Sequence, residues 1–295
     1  MAKKSPKAKN VKSSAKKSQF TKLPSPLKLL GDSFKFLADH KKILTGVTAV
    51  YAVLYIIFVR AGSSFDINAT NELIRDNLGD NKILNNTVLT GTLISSGSGS
   101  VSGAGGIYSF ILLAVGTLAF IWAIRHLMAD KKFNIRDAYY KGMYPLIPFI
   151  IVLFIISLQL IPFVIGGFLY STAELNGLIT SVIERLLFLV LWGALSALSA
   201  YWLSNSLMSL YAVTLPNIYP LQAMRSMKNA IKGRRWNVLS RILVLLVFLA
   251  LIAMLIILLA VSVLPAVAIY VYDLLMIFGL LFANIYMFKL YRSLI

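Results

Sequence analysis

"ILVLLVFLALIAMLIILLAVSVLPAVAIYVYDLLMIFGLLFANIYMF", residues 242–288, holds no Lys or Arg and one acid, Asp273. A bilayer core of about 30 Å is crossed by about 20 helical residues, so this run is about twice too long for one crossing. Pro265, near its middle, lacks a backbone N–H and pushes the residue before it out of helical geometry. The run therefore predicts two spans, 242–262 and 269–288, joined by a tight hairpin. Working outward, four more apolar runs of crossing length occur at 43–59, 107–124, 144–170 and 186–215. The fold class expected is all-α: a polytopic helical membrane protein with six transmembrane helices arranged as three hairpins.

Composition agrees. Hydrophobic residues make up 58% of the 295, against about 45–50% in soluble domains. The chain has no cysteine, which excludes disulfides, thiolate metal sites and cysteine nucleophiles. Its net charge of +18 is unevenly placed. Lysine dominates residues 1–42; Arg125, Lys131, Lys132, Arg136 and Lys141 fall between the second and third spans; six cations and no acid fall in 216–241; Lys289 and Arg292 close the chain. The segments on the other side, with Asp66, Glu72, Asp76, Asp80, Glu174 and Glu184, are net acidic. Cations are retained on the cytoplasmic side, so both termini are expected there, and a bacterial inner membrane is the expected location.

Residues 1–24, lysine-rich and nearly without apolar side chains, are expected to be a disordered cytoplasmic tail, followed by a membrane domain over 25–295. The connection 60–106 is expected to be a flexible outer loop, Gly- and Ser-rich in its second half. It holds two tripeptides of the glycosylation pattern, starting at Asn68 and Asn85. The first apolar run lacks the short basic lead and small-residue cleavage site of a signal peptide and is expected to be retained.

A short amphipathic helix is expected before each odd-numbered span, lying in the membrane interface. In "SPLKLLGDSFKFLADHKK" Ser25 and Pro26 begin a helix, with Leu27, Leu30, Phe34 and Leu37 on one face and Lys28–Asp32 and Lys35–Asp39 as i, i+4 pairs. "FNIRDAYYKGMYP" and "YPLQAMRSMKNAIKGRRW" are the second and third copies. On a helix over 221–235, Met224, Met227 and Ile231 share a side, and Arg225, Lys228, Lys232 and Arg235 form a stripe beside it. That is the pattern of an interfacial helix with its cations among anionic headgroups, and these four are the candidate lipid-binding residues. Topology enforcement and docking of a soluble partner are the competing readings of the same stripe.

This layout, carried by "AMRSMKNAIKGRRWNVLSRIL" and less fully by "DAYYKGMYPLIPF", resembles the membrane domain found N-terminal to some bacterial glycerophosphodiester phosphodiesterases and its stand-alone relatives. The resemblance implies a lipid-facing helical domain without the phosphodiesterase activity, since no catalytic domain follows residue 295. The same stretch is similar to the coupling loop of ABC-importer permeases, but Gly233 falls late and Leu243 is followed by Val244 rather than Pro.

No H-E-x-x-H, G-x-S-x-G or Walker-type glycine loop occurs, and no span has an ionisable residue at its centre. No enzymatic activity and no cofactor is expected. Asp273 is expected to be hydrated at a hairpin tip, with an ion- or proton-coupling site as the alternative. In the fourth span Gly193, Ala197 and Ala200 predict a central packing helix; the alternative is a polar path lined by Gln159, Ser199, Asn205 and Asn284. The function expected is a non-enzymatic membrane protein that organises lipid or a partner protein at its inner face, the alternative a small-solute transporter or permease subunit. A nucleic-acid partner for the lysine tail is the least favoured reading.

Overall fold

The computed structural model describes residues 23–60, 67–79, 82–96, 103–216 and 218–295. The tail expected over 1–24 lies outside the described residues as far as residue 22. Among the described residues the chain is helical: α1 (Pro26–Asp39), α2 (Lys41–Phe58), α3 (Ile67–Leu78), α4 (Lys82–Ser96), α5 (Gly103–Leu127), α6 (Ile135–Gly142), α7 (Leu146–Leu175), α8 (Val182–Ala212), α9 (Pro220–Ile231), α10 (Arg235–Val263) and α11 (Pro265–Arg292). Six of them, α2, α5, α7, α8, α10 and α11, are long and apolar enough to cross a membrane. The run 242–288 divides where the proline requires: Leu264 takes φ −146°, ψ 85°, and Pro265 opens α11.

The spans adjacent in sequence, α2 with α5, α7 with α8 and α10 with α11, pack against each other, α7 with α8 most extensively. The core lies along α5 and α11, each about half buried over its apolar length; Phe120, Ile121 and Ile124 meet Leu281, Ile285 and Tyr286 in one cluster. Tyr51 of α2 fills the space beside Gly116 and packs edge-on to Phe120.

The short helices α1, α6 and α9 gather at one end. Ser25 Oγ accepts from the Lys28 N–H at 3.3 Å, capping α1, which turns Leu29, Leu30 and Ser33 inward. Leu27 and Phe34 of the expected apolar face stay exposed, Phe34 packing edge-on to Phe248 and tilted against Phe282. Neither Lys28–Asp32 nor Lys35–Asp39 forms an ion pair among the described residues. The Arg241 guanidinium instead ties the chain before α1 to α10, donating to the Pro24 carbonyl at 2.9 Å and the Leu23 carbonyl at 3.2 Å. In α6, Gly142 allows close approach to α5: a Cβ there would stand 3.3 Å from the Leu118 carbonyl oxygen. The Tyr139 hydroxyl donates to the Val47 carbonyl at 2.7 Å, linking α6 to α2.

Expectations for the outer connection, the fourth span and Asp273 are corrected. The stretch 60–106 is not a flexible loop throughout, since 67–78 and 82–96 are helical. Ile74, Leu89 and Leu93 pack with Ile257, Val261, Ala268 and Tyr272 in a second core at the α10–α11 junction; residues 97–102, in the Gly/Ser-rich part, lie outside the described residues. Asn85 is 4% exposed and its Nδ2 donates to the Gly79 carbonyl at 2.8 Å, so it is not presented for glycosylation.

The fourth span is not central. Only 6% of the most apolar window of α8 is buried, and a Cβ at Gly193 would meet nothing within 4 Å. Apart from Ser199, its buried residues lie between Ser204 and Ala212, at its end. Asp273, 6% exposed, is not a hydrated tip residue. It lies two turns inside α11, with Arg60 Nε 3.7 Å from its Oδ2 and the Tyr55 hydroxyl donating to its Oδ1 at 3.4 Å.

Candidate functional site

Helix α9 ends at Ile231, so the helix expected over 221–235 is corrected. Lys232 is extended (φ −54°, ψ 125°), Gly233 adopts φ +82°, and Arg235 begins α10. A left-handed φ suits glycine alone at little cost, and here it reverses the chain between two helices. Ala223, Met227 and Ile231, at i, i+4 and i+8, are buried, and α9 packs chiefly on α8. Protein, rather than an acyl boundary, therefore covers most of the apolar side, and Arg225 and Lys228 stand beside it.

Arg225 and Lys228 are exposed and line a cavity of about 470 Å³ that α9 closes against α7 and α8. Gln159 comes into it from α7, Asn205 with Tyr201 and Trp202 from α8, and Arg235 from the start of α10. Two residue sets predicted separately from the sequence thus share one space: Gln159 and Asn205 of the polar set, and Arg225, Lys228 and Arg235 of the cationic set. Leu221 and Met224 give the cavity an apolar wall.

The cations are differently held. Arg235 lies over the Tyr201 ring, 4.8 Å from its centroid, and donates to the Tyr201 hydroxyl. Lys232 lines a separate cavity of about 410 Å³ on the other side of this pair, with Gly233 and Trp236. Among the described residues no carboxylate lines either space. Gln159 Oε1 and Asn205 Oδ1 are both buried without a hydrogen-bond partner among the described residues. A buried polar atom left without a partner costs about 1–3 kcal/mol, so a rotation of either side chain that brings its oxygen, closed to solvent, to a donor is favoured. A half-turn of either amide presents N–H in place of oxygen.

Ser199 and Asn284 do not join them. The Ser199 hydroxyl accepts from the Phe163 N–H at 3.2 Å, next to Pro162 inside α7, where the helix ladder lacks a donor. Asn284 is buried against α8, accepting from the Tyr211 hydroxyl at 3.2 Å and donating to the Leu280 carbonyl at 2.8 Å. Glu184 and Arg185 have local roles: Glu184 forms a capping box with Ser181, and Arg185 pairs with Glu174 at 3.5 Å.

Sequence reasoning missed Tyr201 and Trp202. Their signal was two aromatic residues on the fourth span within a turn of Asn205, at the depth where the cations of the next segment return. The arrangement can hold an anion bearing hydrogen-bonding groups, with an apolar portion against Trp202, Leu221 and Met224. Compared with family models, curated proteins and solved structures, the chain matches none of them.

Proposed function

We propose that this is a non-enzymatic integral membrane protein that holds anionic lipid at its inner face, in the cavity between α7, α8 and α9. The observation that carries the reading is the convergence of Arg225, Lys228 and Arg235 on one cavity with the Gln159 and Asn205 side chains, whose amide oxygens are buried without a partner among the described residues, and with no carboxylate among the described residues that line it. Cations near an anionic surface contribute about 1 kcal/mol each. Three supply up to about 3 kcal/mol before side-chain ordering is subtracted. On this reading the six spans form three hairpins, each led by a short helix at the inner interface, both termini are cytoplasmic, and the membrane is a bacterial inner membrane. The resemblance to the phosphodiesterase-associated membrane domain points the same way. A protein partner at the inner face would meet the same exposed cations.

The test is purification of the full chain in native-lipid discs, followed by identification of the retained lipid. Anionic lipid should be enriched several-fold over the surrounding membrane, and R225Q/K228Q, both at exposed positions, should bring it close to the bulk ratio. Retained lipid at the bulk ratio in the parent protein would sink the proposal. A small-solute permease is the second reading, favoured by Gln159 and Asn205 facing one cavity. It predicts solute flux in sealed vesicles that the N205A variant abolishes.

A further inference from the structure

A larger cavity, about 850 Å³, opens at the same end between α5, α6, the start of α7 and the chain leaving α8. Arg125, in the last turn of α5, lines it. Its Nη1 donates to the Thr214 carbonyl at 2.8 Å and its Nη2 to Thr214 Oγ1. A guanidinium carries five N–H donors. Among the described residues no further acceptor and no carboxylate meets Arg125. It is half-buried, and removing a cation from water without a counter-charge is costly. The carbonyl ends of α5 and α8 converge on it and offset part of that cost, but they supply no full negative charge.

Two more groups surround the space. The His126 ring stacks on Trp122 with centroids 3.7 Å apart, and its Nδ1 donates to the Trp122 carbonyl at 2.9 Å; Nε2 has no protein partner among the described residues. Lys141 of α6 stands opposite, 3.3 Å from Asp137, with its side chain mostly exposed. The rim carries the exposed rings of Tyr140, Tyr144 and Tyr219, residues that favour the polar–apolar boundary of a membrane. Below them the wall turns apolar at Ile121 and Pro148. Cations at an aqueous edge above an apolar wall match a phosphate joined to acyl chains.

We propose that this cavity is a second lipid site, which takes the phosphate of an anionic glycerophospholipid against Arg125, with Lys141 and His126 flanking it and Trp122 beside its glycerol. The proposal rests on the reading that this end of the protein lies at the membrane interface, and not on occupancy of the α7–α9 cavity. One tryptophan lines each of the two cavities, Trp122 here and Trp202 there, so the sites can be read separately. Full-length variants keeping only Trp122 or only Trp202 are placed in vesicles with phosphatidylglycerol or phosphatidylcholine carrying brominated acyl chains. Quenching of Trp122 should need several-fold less brominated phosphatidylglycerol than phosphatidylcholine. R125Q should abolish that preference, and K141Q, which leaves the Arg125–Thr214 bonds in place, should reduce it at least twofold. R225Q/K228Q should leave it unchanged while reducing the preference at Trp202. Equal quenching of Trp122 by both lipids overturns this site, as does a preference that survives K141Q intact. Relief of quenching by millimolar inorganic phosphate would overturn the lipid assignment and leave a site for soluble phosphate. Preference at Trp202 without preference at Trp122 defeats this proposal alone; preference at neither defeats the lipid reading of both cavities.

Discussion

Asp273 shows what a single residue conceals in a sequence. Counted from an expected span start at 269 it falls at the polar edge, but α11 begins at Pro265, and the side chain is carried two turns inward to meet Arg60 and Tyr55. The helix start was readable from Pro265; the partner was not, because the contact spans more than 200 residues and follows no periodicity. Removing one member of a buried ion pair leaves the other uncompensated, at a cost of up to about 3–5 kcal/mol. D273N should therefore lower the unfolding midpoint in detergent, by an amount equivalent to about 1–3 kcal/mol since the pair is long. R60Q/D273N should lose less than the sum of the two single changes. Strict additivity, measured by thermal unfolding of all four proteins, would show that the two charges do not interact. Gly233 is the opposite case. Its surroundings would accept a Cβ, so G233A should cost only the backbone strain of φ +82°, about 1–2 kcal/mol, and G233N less.

At the scale of elements, the six spans were legible because length and hydropathy decide them, whereas α3 and α4 were not. Their amphipathic signal exists, since Asn85, Leu89 and Leu93 recur at i, i+4 and i+8, and all three are buried. The polar residues between them and the Gly/Ser run that follows hid it. The helix at 221–235 failed for a related reason: the cation stripe at spacings of 3, 4 and 3 runs through Gly233, and the break is a backbone event that side-chain spacing does not report. Legibility of the cationic candidates was thus partial, with Arg225, Lys228 and Arg235 around one cavity and Lys232 around another. Leu89 is fully buried in the small core at the α10–α11 junction. L89A should cost about 2–5 kcal/mol there. Hydrogen exchange should rise across 67–96 and remain slow in α5 and α11; uniform protection across the chain in L89A would contradict an independent second core.

For the whole molecule, the charge pattern makes one end strongly basic, and α1, α6 and α9 gather there. The orientation that follows is open to test because the chain has no cysteine. Single cysteines at Leu178, between α7 and α8, and at Ser226 in α9 are both at exposed positions. On intact cells an impermeant thiol reagent should label only the first; labelling of 226 alone would invert the topology. The centre of the bundle was misread because small residues show where another backbone has room to approach, not whether one does. Gly193 and Ala197 are exposed, while α5 and α11, with bulkier faces, form the core. Helix α7 has 30 residues and α8 has 31. At 1.5 Å per residue each is about 45 Å long, against a hydrocarbon thickness of about 30 Å. Such helices lean, or thicken the lipid around them. Their contacts with the rest of the protein are concentrated near the basic end, so the far half of the pair is matched to the bilayer instead of to protein. Its tilt is therefore an elastic response to membrane thickness, and lengthening the acyl chains should draw a spin label at residue 178 toward the hydrocarbon while labels on α5 keep their depth.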